Sequence, residues 1–290
     1  PGSPEPSGRT EEIIGNWFAA NGDRDKWVLA TKIVGGGNAH IRNGRRPDAA
    51  SVREAIEGSL KRLKTDYVDL YQIHWPSRGH YNFENYWRYA PEKQDTADAL
   101  ANMEEVLGAM GDLVREGKIR HFGLSNETTW GLAQWVRLAE EKGLPRAVSV
   151  QNEYSLIRRI FDHDMAELSH HEDVGLLAYS PLAGGMLSGK YFNGATPKGS
   201  RKDYQKGFWR LNDQSDAATR AYHDVAARHG LDPVQMAIAF CRTRPFITST
   251  IIGATSTDQL TQVLGALEVT LSPEVLADID ATYRRFPRPV

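Results

Sequence analysis

One cysteine in 290 residues, Cys241, leaves no partner for an internal disulfide and suits a reducing compartment. No apolar run approaches the ~18 residues that a membrane-spanning helix needs, and no signal-peptide core is present, which argues for a cytoplasmic protein. Neither sign of charge dominates: 35 Lys and Arg stand against 37 Asp and Glu. A net charge of -2 therefore points to no nucleic acid and no acidic membrane surface as partner. Low-complexity tracts and sequence repeats are missing. So is G-x-G-x-x-G: "GGGNAH", residues 35–40, has other spacing and no helix begins at once, so a Rossmann domain has little support. The chain also lacks an initiator methionine and opens on the Pro/Gly/Ser tract "PGSPEPSG". It is expected either to begin inside a surface loop or to be preceded by further residues.

What is present is a regular alternation of periods. Apolar residues at helical spacing predict a helix from about residue 10, carrying Ile13, Ile14, Trp17 and Phe18, and another over 49–63 with Val52, Ile56, Leu60 and Leu63 on one face. Further helices are expected over 96–116, 128–141, 162–170, 257–267 and 274–285, with more inside 215–243. Between them lie six strand-like runs: "KWVLATKI", "YVDLYQIH", "RHFGLSN", "AVSVQNEY", "GLLAYSPL" and "TSTIIGA". Strands alternating with helices imply an α/β fold with parallel pairing and right-handed crossovers. A chain of this length suits one α/β barrel as well as two smaller domains.

The position of the polar residues favours the barrel over an open sheet. Nearly every strand run carries one near its C-terminal end: Lys32, His74, Ser125 with Asn126, Gln151 with Asn152, and Tyr179 with Ser180. Side chains at those ends ring the face where barrel enzymes place their chemistry. Strand alternation puts Val28 and Ala30 on one side with Lys32, and Val68, Leu70 and Gln72 with His74, as a packed interior topped by polar groups would require. A lone histidine at a strand end is ordinarily a core residue satisfied by a carbonyl. A lysine ending a neighbouring apolar strand changes the reading, because a buried ammonium needs a counter-charge or a task.

Two motifs are decoys. "GGMLSGKY", residues 184–191, nearly matches a phosphate-binding loop, but Tyr191 replaces the magnesium-binding Ser or Thr and no helix follows directly. His163, His170, His171 and Glu172 lack the spacing of a metal motif, and no metal site is expected. Residues 183–214 have no clear period and lean basic, through Lys190, Lys198, Arg201, Lys202, Lys206 and Arg210. They read either as a solvated surface loop or as a flap over an anionic ligand. "STIIGATSTDQL" runs from a strand through Gly253 into a helix capped within 255–257, a second place for an anion.

Taken in order, "LATK", "DYVDLYQIHWP", "GKIRHFGLSNE", "QNEYSLI", "LLAYSPLAGGMLSGKY" and "IIGAT" resemble the aldo-keto reductase superfamily over essentially the whole chain, residues 1–290. The resemblance is closest to its bacterial Tas-like branch and is shared in part with potassium-channel β subunits. It implies a TIM (β/α)8 barrel forming a single domain, with 183–214 as a cofactor-covering loop. It also implies NADP(H) bound without a Rossmann motif, and reduction of an aldehyde or ketone carbonyl by hydride transfer.

By that resemblance Lys32 lowers the pKa of a catalytic tyrosine, and His74 hydrogen-bonds the substrate carbonyl or helps the proton across. Ser125, Asn126 and Gln151 hold the nicotinamide carboxamide and Tyr179 stacks on its ring. Ser180, Pro181, Leu182 and Gly184 line the pyrophosphate path, and Lys190 and Arg201 clamp phosphates. Gly253, Thr255, Gln259 and Gln262 take the adenosine end, where Val263 replaces an asparagine frequent in relatives. The family aspartate and tyrosine are not within this sequence. Six strands against eight imply that about two βα units, ~50 residues, precede Pro1. A regulatory barrel that holds cofactor without useful turnover is the alternative. Aromatic residues Tyr81, Phe83, Tyr86 and Trp87 are expected either to line the mouth, favouring an apolar substrate, or to form a surface insertion.

Overall fold

Parallel strands covered on both faces are buried along their whole length, and the strand over Val68–Ile73 is the clearest case here. The computed structural model describes residues 8–83, 85–205 and 207–290. By its contacts the chain divides into two compact units, Pro1–Val150 with Glu172–Val174, and Gln151–His171 with Gly175–Val290.

The first unit runs α1 (Arg9–Asn21), β1 (Ala30–Ile33), α2 (Ala49–Leu63), β2 (Val68–Ile73), α3 (Thr96–Arg115), β3 (Ile119–Ser125), α4 (Thr129–Lys142) and β4 (Ala147–Gln151). β1 pairs with β2 and β2 with β3, both parallel, so that Lys32 stands opposite Gln72 and Gln72 opposite Gly123. α2 starts where Asp48 accepts from the Ser51 amide at 2.8 Å, one half of a reciprocal capping box. It buries Val52, Ile56, Leu60 and Leu63, each contributing roughly 1.5–3 kcal/mol on leaving water. Every residue of β2 is buried, including Asp69. The Asp69 carboxylate is satisfied by the Leu29 amide at 2.9 Å and by Arg24 and Arg120 at 2.8 and 3.1 Å.

The expected burial fails at β1. The strand begins at Ala30, preceded by a three-ten turn over Arg24–Lys26, and Val28 is 85% exposed. Leu29 and Ile33 are buried instead. β1 therefore packs through the side opposite to the one that carries Val28 and Ala30, and no described side chain closes over that pair. On β2 the predicted set, Val68, Leu70 and Gln72, is buried as expected. α1 likewise buries Phe18 but leaves Ile13 and Trp17 exposed.

The second unit runs α5 (Asp164–His171), β5 (Gly175–Ala178), α6 (Arg201–Tyr204), α7 (Asp213–Arg228), α8 (Pro233–Arg242), β6 (Ile247–Thr250), α9 (Thr257–Leu264) and α10 (Pro273–Arg285). β5 and β6 pair in parallel, and the Thr248 side chain lies over Gly175, where any Cβ would strike its hydroxyl. α8 is apolar nearly all round and wholly buried from Met236 to Cys241. Burial pushes the Cys241 thiol up to about 12, so it is an inert core residue. Among the described residues, no helix is long and apolar enough to cross a membrane, and no three His, Cys, Asp or Glu side chains gather as a metal ion would need.

Gly15 marks where α1 lies on the end of α2: an added Cβ would sit 2.2 Å from the Arg62 carbonyl oxygen. Gly15→Ala should cost roughly 1–3 kcal/mol. Gly108→Ala, in a part of α3 with nothing within 4 Å of the new carbon, should stabilise by roughly 0.5–1 kcal/mol. Urea unfolding of the two variants checks the pair; equal effects would contradict the helix crossing.

Candidate functional site

In the first unit the polar residues at the strand tips are tied together by main chain. The His74 amide donates to the Ile33 carbonyl at 2.9 Å, one residue beyond Lys32. Lys32 and Gln72 share a face as register partners, and His74 follows Gln72 on that face by alternation. Both Lys32 and His74 are half-buried. Burial lowers the Lys32 pKa; burial and then the Lys32 charge lower that of His74 to about 4. The imidazole is therefore neutral at physiological pH and stands in the field of a cation.

Asn126 fixes this tip. Its backbone is left-handed, φ 52°, a conformation uncommon for a residue with a Cβ and frequent at functional sites. Its Nδ2 donates to the His74 carbonyl at 2.9 Å and to Ser125 Oγ at 3.1 Å, while its own carbonyl accepts from Asn82 Nδ2 at 2.6 Å. Ser125 and Asn126 are both buried. Next along, Glu127 is 2% exposed, pairs with Arg78 at 2.6 Å and accepts from the Trp135 indole at 3.2 Å; the pair packs on Gly131, where an added Cβ would strike both side chains.

In the second unit β5 delivers Tyr179, whose amide donates to the Asn152 carbonyl at 3.1 Å and whose pKa burial raises. Gln151 is half-buried and Asn152 buried. The backbone then turns left-handed at Ser180 (φ 56°), at Ala183, and at Gly184 and Gly185 (φ 69° and 96°). Pro181 is buried and Leu182 packs on a cluster of Val234, Ile238, Val263 and Ala266. A Cβ on Gly185 would lie 2.7 Å from Lys190 Nζ, and one on Gly184 would lie 3.3 Å from Arg201 Cδ and 2.9 Å from the Phe208 ring. Two predicted cations thus flank a bare glycine turn.

At the end of β6, Gly253, Thr255, Gln259 and Gln262 are all exposed. The Thr255 amide and hydroxyl both donate to Gln259 Oε1, at 3.0 and 3.1 Å, and Ser256, inside the expected 255–257, caps α9. Gln262 Nε2 donates to Asp232 at 2.9 Å. Val263 is a core residue, so its place beside that group is filled by packing.

A model of the aldo/keto reductase family matches residues 6–284. The chain belongs to the aldo/keto reductase family. It is 45% identical over 294 aligned positions to "Protein tas" of Escherichia coli (strain K12), covering all of this chain and 84% of that protein. It is 31% identical to "Uncharacterized oxidoreductase YrpG" of Bacillus subtilis (strain 168), over 93% of this chain and 76% of that one. It is also 30% identical to "Probable voltage-gated potassium channel subunit beta" of Oryza sativa subsp. japonica, over 97% and 81%. The six strands of the described residues and their helices are consistent with the TIM-like barrel of this family, which generally uses nicotinamide cofactors.

The loop 183–214, expected to lean basic against Asp203 and Asp213, does not leave every described cation available. Arg210 is buried against Glu153 at 2.7 Å, and Lys202 donates to the carbonyls of Gly194 and Ala195, so neither is a free cation. Met186, Leu187, Tyr191 and Phe208 anchor the loop, while residues 193–199 are exposed. Lys206 lies outside the described residues. The near-match to a phosphate-binding loop folds as a three-ten turn, Ala183–Ser188, with no helix until Arg201. Sequence reasoning missed Asn82, hidden in an aromatic segment, and the Arg78–Glu127 pair, 49 residues apart.

Because the folded His74 pKa lies below its ordinary value of 6.5, the neutral form is the one that folding favours. The contribution is fully present above pH 6.5 and is lost as pH falls toward about 4. Stability of wild type relative to His74→Gln should drop by up to about 3 kcal/mol across that window. Urea titrations at several pH values, with NMR of the imidazole, check it; a His74 titrating near 6.5 would overturn it.

Proposed function

We propose that this protein is a cytoplasmic NADP(H)-dependent reductase of aldehydes or ketones, running reversibly as an alcohol dehydrogenase. The observation that carries the reading is the pair at the tips of β1 and β2: an ammonium, Lys32, acting on a neutral imidazole, His74. A neutral His74 can donate a hydrogen bond to the carbonyl oxygen as charge grows there, and the Lys32 charge favours that growth. In the same reading Lys32 depresses the pKa of the tyrosine that the family resemblance supplies.

The residues of the second unit fit the cofactor. Gly184 and Gly185 leave backbone bare beside Lys190 and Arg201, where phosphates need cations and close approach. In this unit Gln151 offers a donor and an acceptor to a carboxamide and the Tyr179 ring a face to a planar base; in the first unit Ser125 and Asn126 offer the same kinds of polar group. Bound NADPH would supply the hydride that the carbonyl carbon receives. Ser180, Pro181 and Leu182 would bound the pyrophosphate path, and Gly253, Thr255, Gln259 and Gln262 the adenosine end. A TIM-like barrel fold, with 183–214 as its covering loop, belongs to the same proposal.

Single-turnover oxidation of NADPH with a panel of aldehydes tests the reading. Lys32→Met should slow turnover about 100-fold or more while NADPH fluorescence still reports binding. Arg201→Ala should weaken NADPH by about tenfold, and NADH less. Cofactor held tightly but never consumed would reject the enzyme in favour of a regulatory barrel, the reading that the potassium-channel relatives suggest.

A further inference from the structure

The first unit holds a cavity of about 640 Å³ that starts at the Trp75 indole, whose ring centre is 4.8 Å from that of His74. This is the size range of small-molecule sites. The wall at Trp75 is rigid: its Nε1 donates to the Gly36 carbonyl at 2.8 Å, and Gly35 packs so closely on the indole that a Cβ would sit 2.3 Å away. Trp75, Pro76 and Tyr89 supply flat apolar surface, and Gly36, Gly37 and Gly44 supply bare backbone. Among the described residues, the charged side chains lining it are Arg46, Arg78, Arg88 and Lys93, with no carboxylate. A smaller adjoining cavity of about 220 Å³, which shares Arg46, Arg78 and Lys93, carries Asp95, Asp98 and Glu127.

That separation matters. Arg46 is held by both oxygens of Asp98, and Arg78 by Glu127, so their charges are compensated from behind. Among the described residues no carboxylate pairs with Arg88 or Lys93, and both are exposed at the rim. His80, also in the lining, keeps its Nδ1 buried with no hydrogen-bond partner. Tyr81, Phe83, Tyr86 and Trp87, expected either at the mouth or in a surface insertion, line neither cavity, and Trp87 is 83% exposed. A substrate chosen by this groove meets two aromatic faces and an uncompensated positive rim, not an apolar pocket.

We propose that the groove receives the carboxylate of the substrate, so that the preferred substrate is a planar aldehyde or ketone bearing a negative charge, with Arg88 and Lys93 as its specificity-determining residues. The planar two-oxygen group matches an Arg fork, and Trp75, in the groove wall, is the ring neighbour of His74. The inference rests on the reductase reading for the chemistry at His74, and on the groove alone for the charge.

The test compares 4-carboxybenzaldehyde with its methyl ester, both with NADPH, in wild type, Arg88→Gln/Lys93→Gln and the charge-retaining Arg88→Lys/Lys93→Arg. Wild type should favour the acid in kcat/KM, chiefly through KM, with an advantage that shrinks as salt rises. The ratio of acid to ester should fall roughly tenfold in the Gln variant and survive in the charge-retaining one. No preference in wild type, or one that the Gln variant keeps, overturns the proposal. If neither aldehyde is reduced, the reductase reading fails separately, and calorimetric binding of 4-(hydroxymethyl)benzoate decides. Binding weakened about tenfold in the Gln variant sustains the groove, and equal or absent binding overturns it.

Discussion

The carboxamide of Asn126 donates to the His74 carbonyl, and through that bond the tips of β2 and β3 hold one geometry. Its left-handed backbone is a local cost, of order 1–3 kcal/mol for such residues, that the surrounding bonds from Asn82 and to Ser125 offset. The arrangement aims the His74 imidazole without using the imidazole itself, which is left free to keep its neutral state beside Lys32. Behind it, the buried Arg78–Glu127 pair and the Trp135 indole hold the start of α4 in place. Breaking such a pair by removing one partner costs about 3–5 kcal/mol, so support for the site and stability of the unit come from the same side chains.

Regular elements were legible wherever period and cap agreed. α2 spans the residues its apolar spacing predicts, and α3, α4 and α10 fall within a residue or two of their predicted spans. The start of β1 was not legible, because Trp27 and Val28 look like strand residues yet stand in the open. Apolar character reports what a side chain would gain by burial, not whether a neighbour arrives to cover it.

Candidate site residues at strand tips were legible for a related reason: a Lys or His closing an apolar run is costly, and cost implies purpose. Charge compensation was not. Nothing in "FWRLND" reveals that Arg210 meets Glu153, 57 residues earlier, nor does the sequence show that Arg46 and Arg78 are neutralised while Arg88 and Lys93 are left over. Partners of that kind are set by chain topology, which pattern reading does not resolve. The family resemblance supplied roles, and the coordinates supplied which charges remain available to play them.

The glycine turn at 184–185 has a consequence for how this chain can vary. Phe208, Arg201 and Lys190 already occupy the space that any larger residue there would claim. A change at either glycine would displace a cation or an anchoring ring, whereas residues 193–199 project into solvent and touch neither. Divergence in this segment is thereby divided into a frozen hinge and a freely drifting crest, so homologues should differ in the length of the crest long before they differ at the hinge.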